Sequence, residues 1–176
     1  MTSFSHKAYG VSPAATGFTL VEMLITVVVI GITAGSGIVL LRGVVSSSRL
    51  RHASLELVGY LDSSRRNAMR LGGTCTINRA GTTFSPSNAN GNTCAGDPAL
   101  DLSAAASDPN LAVDNTSPAA VIFTQRGTSV NGATFVLTLA GASTDRCVRV
   151  TSPLGIVGAG SKPLGTAVAN CNYINP

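Results

Sequence analysis

Apolar and polar positions follow three regimes along this chain. From Phe18 to Leu41 the residues FTLVEMLITVVVIGITAGSGIVLL carry one charged side chain, Glu22. Wound as a helix, a run of that size extends about 36 Å, enough for a bilayer core of about 30 Å. After Arg42, Leu50, Ser54, Leu57, Leu61, Ser64, Ala68 and Leu71 recur at spacings of three and four and share one helical stripe. Glu56, Asp62, Arg65, Arg66 and Arg70 fall off that stripe, and Gly72-Gly73 supplies helix-ending residues. The spacing predicts a membrane segment over 18–41 and an amphipathic helix over 42–73, two halves of one long helix.

Beyond Gly73 the period shortens to two. TCTINRAGTTF, Thr74 to Phe84, alternates around a glycine turn as a hairpin does. Further strands are expected at AVIFT from Ala120, TFVLTL from Thr134 and CVRVT from Cys147, the last turning at SPLG into Ile156 and Val157. Residues 85–118, rich in Ser, Asn, Ala, Asp and Pro, exceed an ordinary connection and are expected to form a long surface loop. The fold class is α+β: a long N-terminal helix packed on a small antiparallel sheet, with 74–176 as the β-rich domain.

Composition narrows the chemistry. The chain has 176 residues, 11% of them charged, no Trp and a net charge of +4. The basic residues of the helix, Arg42, Arg51, Arg65, Arg66 and Arg70, scatter around its circumference, so they form no single ridge for nucleic acid. Cys75, Cys94, Cys147 and Cys171 contain no C-x-x-C pair, which argues against zinc and for disulfides in an oxidising compartment. Of three possible connectivities, Cys75 with Cys94 and Cys147 with Cys171 closes the shortest loops, each stabilising by about 3 kcal/mol. GIVGAGSK, Gly155 to Lys162, places Ser161 before its lysine and Pro163 after it, so it is not a phosphate loop. No G-x-S-x-G, carboxylate pair or nucleophile with a histidine base appears, and His52 reads as a surface residue. The chain is therefore not expected to be an enzyme, and no metal or cofactor is expected.

Glu22 is the anomaly, since a charge inside an apolar segment costs up to about 2.5 to 3.5 kcal/mol and is kept for a reason. A cleaved secretory signal, with ITA before Gly35 as its cutting site, leaves that carboxylate unexplained. Arg42, Arg49 and Arg51 after the span would orient it with the C-terminal part inside; the cysteines place that part outside the cytoplasm, because a disulfide requires a compartment. The stretch GFTLVE, Gly17 to Glu22, running into an apolar helix, resembles the class III signal of type IV pilins and the pseudopilins of type II secretion. The resemblance implies a leader over 1–17, cleavage by a membrane prepilin peptidase between Gly17 and Phe18, and N-methylation of Phe18. It also implies that Glu22 meets the N-terminal ammonium of a neighbouring subunit in the filament core, setting axial register. Unlike many major pilins, this chain has Val39 where a kinking proline stands, with Gly31, Gly35 and Gly37 nearby.

The order Val121, Phe123, Gly127, Phe135, Leu137, Arg146, Val148, Val150, Gly155, Val157 resembles the C-terminal part of GspH/FimT-like minor pilins and pseudopilins. Some members of that branch bind DNA for uptake, and Arg146, Arg149 and Lys162 are the residues here that could do so. The implied protein is a minor pilin or pseudopilin of a type IV pilus or a type II secretion pseudopilus. Its expected partners are prepilin peptidase, other pilins, inner-membrane lipid before assembly, and DNA in the uptake variant. It would be a single-pass protein of the bacterial inner membrane, later a part of a filament. The competing reading is a membrane-anchored β-rich binding module that does not assemble.

Overall fold

The computed structural model describes residues 17–89, 91–114 and 118–173, with the side chains of 33–42 outside the description. The leader residues 1–16 therefore lie outside the described residues, as do the side chains of much of the expected membrane segment, Arg42 included. Two compact units divide the chain, 1–38 and 39–176. Helix α1, Leu20–Leu71, supplies the described part of the first and enters the second. Among the described residues no helix is long and apolar enough to cross a membrane.

In the second unit, α1 buries the stripe its sequence announces: Leu50, Leu57, Leu61, Ser64 and Ala68 are fully enclosed, with Ala53 and Ser54 beside them. The small residues let the sheets approach the helix, and the buried hydroxyls are satisfied locally. Ser54 donates to the Arg51 carbonyl and Ser64 to the Tyr60 carbonyl, so neither needs a partner in the sheets. Leu71 departs from the expected stripe and is exposed. The helix ends there: Gly72 takes φ 64° and the Gly73 amide donates to the Ala68 carbonyl, a Schellman closure that turns the chain away before Leu71 reaches the core.

Two antiparallel sheets, rather than one, pack on the helix. The first orders β3 (Leu100–Asp101), β2 (Thr83–Pro86), β1 (Cys75–Ala80) and β5 (Ala120–Phe123). The second orders β4 (Ala112–Val113), β6 (Ala133–Thr138), β7 (Thr144–Val150), β8 (Val157–Pro163) and β9 (Asn172–Tyr173). Phe84 of β2 meets Phe135 of β6 edge to face at 5.1 Å, joining the sheets in one core with Ile77, Phe123, Val148 and Val150. The outer edge of β5 is closed by Asn131, whose amide donates to the Ala120 carbonyl and accepts from the Ile122 amide, as a paired strand would.

The long surface loop expected over 85–118 is instead partly structured. It contributes β3, helix α2 (Leu102–Ala106) and β4, and buries Leu102, Ala106, Leu111 and Val113 in the main core. Asp101 caps α2 by accepting from the Ser103 amide and hydroxyl. Cys94, within the same stretch, is bonded to Cys75, and Cys147 is bonded to Cys171. The second disulfide lies on the far side of the five-stranded sheet, where Val136, Val168 and Tyr173 pack around it in a smaller cluster.

Candidate processing and assembly site

The residues singled out at the N-terminus lie at the start of α1. Thr19 precedes the first helical residue; its carbonyl accepts from the Met23 amide and its hydroxyl from the Glu22 amide at 3.3 Å. Thr19 is thus the N-cap and Glu22 the third residue of the helix, the T-x-x-E spacing of a capping box. The T-x-x-E spacing at Thr19 and Glu22 is itself the sequence signal for this cap. A carboxylate in a first turn also opposes the positive end of the helix dipole, worth about 0.3–1 kcal/mol when exposed. That offsets only part of the cost of placing Glu22 in an apolar medium. Phe18, Leu20, Val21, Met23 and Leu24 are all more than half exposed. Among the described residues, a Cβ added to Gly17 would meet nothing within 4 Å.

The three residues offered for DNA are not brought together. Arg146 and Arg149 are three apart on β7, and side chains alternate along a strand, so they leave opposite faces of the sheet. Arg149 lies over the Tyr173 ring, 5.4 Å from its centroid. Lys162 is withdrawn from solvent altogether: its ammonium sits 2.6 Å from Asp145 Oδ2 and 2.9 Å from the Thr166 carbonyl, and its side chain is 5% exposed. The register that pairs Asp145 with Lys162 across β7 and β8 creates this buried pair. A polyanion needs accessible cations on one surface, and this arrangement supplies Arg149 alone on the outer face. His52 is exposed as expected, though it does have neighbours: Glu56 at 3.9 Å and the Ala105 carbonyl at 3.2 Å.

A helix that enters a two-sheet domain from a capped, exposed apolar start defines a pilin-class subunit. Comparison with known proteins agrees. A family model described as "Type II transport protein GspH" matches residues 53–155, and one described as "Prokaryotic N-terminal methylation motif" matches residues 13–38. The chain belongs to the GspH family. Among solved structures it is similar to the type IV minor pilin FimU of Pseudomonas aeruginosa (strain PAO1) in two crystal forms. In one the TM-score is 0.53 at 20% identity over 71% of this chain and 96% of that one. In the other it is 0.50 at 21% identity over 70% and 100%. These likenesses speak for the fold. No curated protein matches.

Proposed function

We propose that the protein is a minor pilin or pseudopilin that is cut between Gly17 and Phe18, methylated on Phe18 and assembled into a filament through α1. The observation that carries this is the contrast at the N-terminus. A run of exposed apolar side chains holds one carboxylate, Glu22, and begins beside Gly17, where a Cβ would meet nothing within 4 Å among the described residues. Such a surface is covered by lipid before assembly and by other helices afterwards. In that apolar core the Glu22 carboxylate pairs with the ammonium that cleavage creates on Phe18 of a neighbouring subunit, because either charge alone costs several kcal/mol. The domain over 74–176 then stands outside the cytoplasm, where its disulfides persist.

Mass analysis of the mature N-terminus tests the processing step. The expected chain begins with methylated Phe18; an uncut chain, or a cut near Ala34, would refute it. Glu22→Ala should leave cutting intact and reduce filament incorporation, whereas incorporation at the wild-type level would remove the proposed pairing.

A further inference from the structure

Strand β5 is the end strand of the first sheet, and a side chain, not another strand, closes much of its outer edge. Asn131 Nδ2 donates to the Ala120 carbonyl at 2.8 Å, and Asn131 Oδ1 accepts from the Ile122 amide at 3.2 Å. Both polar atoms of the carboxamide are therefore held by one strand edge. The loop that carries it is held too: the Val130 amide donates to the Ile122 carbonyl at 3.0 Å, and the buried Ser129 hydroxyl donates to the Asn131 carbonyl at 2.7 Å.

The residue after Asn131 is Gly132, which is exposed to water. An Asn-Gly pair is reactive because a following residue without a Cβ lets its amide nitrogen approach the asparagine Cγ. Packing does not demand glycine at this position. A Cβ on Gly132 would lie 3.6 Å from the Ser152 Cβ and 3.6 Å from the Val150 carbonyl oxygen, ordinary contacts, and its φ is outside the left-handed region. The same two residues thus combine a lock on a sheet edge with the backbone freedom that ring closure needs.

We propose that Asn131-Gly132 is a self-modification site: its deamidation is held off while the carboxamide closes the β5 edge, and once it has occurred that edge stays open. In the step, the Gly132 amide nitrogen loses its proton to water and bonds Asn131 Cγ. The bond from Cγ to Nδ2 breaks, and Nδ2 leaves as ammonia after taking up a proton. Water then opens the resulting five-membered imide at either carbonyl, giving aspartate or isoaspartate, so one water enters for each ammonia released. Ring closure requires the carboxamide to leave Ala120 and Ile122, which is why the closed edge protects it. The product has no N–H to offer, and its carboxylate would set acceptor against acceptor at the Ala120 carbonyl. A strand edge released in this way can pair with another extended chain. Nothing in the step depends on cutting after Gly17.

The test is ageing of the full chain in detergent at mildly alkaline pH, with and without urea, read by peptide mass spectrometry. Trypsin releases 127–146 between Arg126 and Arg146, a peptide in which Asn131 is the only amide side chain. Deamidation makes it heavier by about one mass unit, and the reaction should run at least tenfold slower in the folded chain than in urea. Gly132→Ala should slow the urea reaction at least tenfold without moving the melting temperature. Asn131→Asp, which reproduces one product, should speed hydrogen exchange of the Ile122 amide at least tenfold; the aged parent chain supplies the same readout should that variant fail to fold. Equal rates in the folded chain and in urea overturn the proposal. So does a urea rate indifferent to Gly132→Ala, or an Ile122 amide as protected after deamidation as before. Uncut protein should behave identically, so this result and a failure of the processing reading are separate.

Discussion

Replacing Lys162 by Met isolates the energetics of the buried pair. The lysine and Asp145 side chains are 5% and 3% exposed and 2.6 Å apart, and the ammonium also serves the Thr166 carbonyl. Met keeps most of the volume and removes the charge, leaving a carboxylate with neither oxygen paired in a dry setting. Breaking such a pair from one side costs about 3–5 kcal/mol. With an unfolding entropy of about 2.1 cal/mol/K per residue over a unit of roughly 140 residues, that loss lowers the melting temperature by about 10–17 °C. Circular dichroism melts of the full chain in detergent, disulfides intact, read the shift. The double variant Asp145→Leu with Lys162→Met should recover most of it, because removing both charges also removes the desolvation cost. A single variant within 1 kcal/mol of the parent would refute the reasoning, since a solvated pair is worth only about 0–1 kcal/mol. That outcome would also make Lys162 an accessible cation.

Three further outcomes follow from local geometry. Cys75→Ser with Cys94→Ser, and Cys147→Ser with Cys171→Ser, open loops of 19 and 24 residues and should each cost about 3 kcal/mol in denaturant unfolding. Asp101 has its carboxyl held below the usual range by hydrogen bonds from the Ser103 hydroxyl and then the Ser103 amide. The α2 cap should therefore be complete above the ordinary carboxylate pKa of about 3.9 and fade as pH falls through the lower folded value, which a proton titration of the Ser103 amide would follow. The Tyr60 hydroxyl is buried without a hydrogen-bond partner among the described residues, and burial followed by the nearby Asp97 charge raises its pKa. Tyr60→Phe should leave stability unchanged or raise it by up to about 1 kcal/mol in a thermal melt, because the phenol pays desolvation without a partner in return.

The helix was legible because its period is long and its breaks are chemical: Leu50 to Ala68 is a buried stripe and Gly72 is the left-handed cap. Strands β1, β2, β5, β6 and β7 were legible for the same reason, their alternation being bounded by glycine turns. What escaped was pairing at a distance. Residues 85–118 look like a loop because their elements are two to five residues long, too short for any period to appear, yet Leu102 and Val113 are buried by strands far away in sequence. Division into two sheets depends on Phe84 and Phe135 meeting across them, and nothing local to either residue announces it. The burial of Lys162 is hidden for the same reason: its partner Asp145 is chosen by the register of β7 against β8.

Glycines separate residues required by this fold from residues required by something outside it. Gly72 has an internal reason, since φ 64° is a backbone conformation that side-chain-bearing residues adopt at a cost. Gly160 has another, because a Cβ there would lie 2.7 Å from the Asn172 carbonyl in β9, the strand that follows Cys171 of the second disulfide. For Gly17 a Cβ would meet nothing within 4 Å among the described residues. The first-turn placement of Glu22 recovers only part of what its charge costs in an apolar medium. Gly17, and the part of the cost of Glu22 that its place in the capped first turn does not offset, stand at the head of an exposed apolar surface, where a peptidase and a neighbouring subunit would select for them. Normal cutting of Gly17→Ala together with normal assembly of Glu22→Ala would dissolve that inference, because capping the first turn would then be the only role left to Glu22.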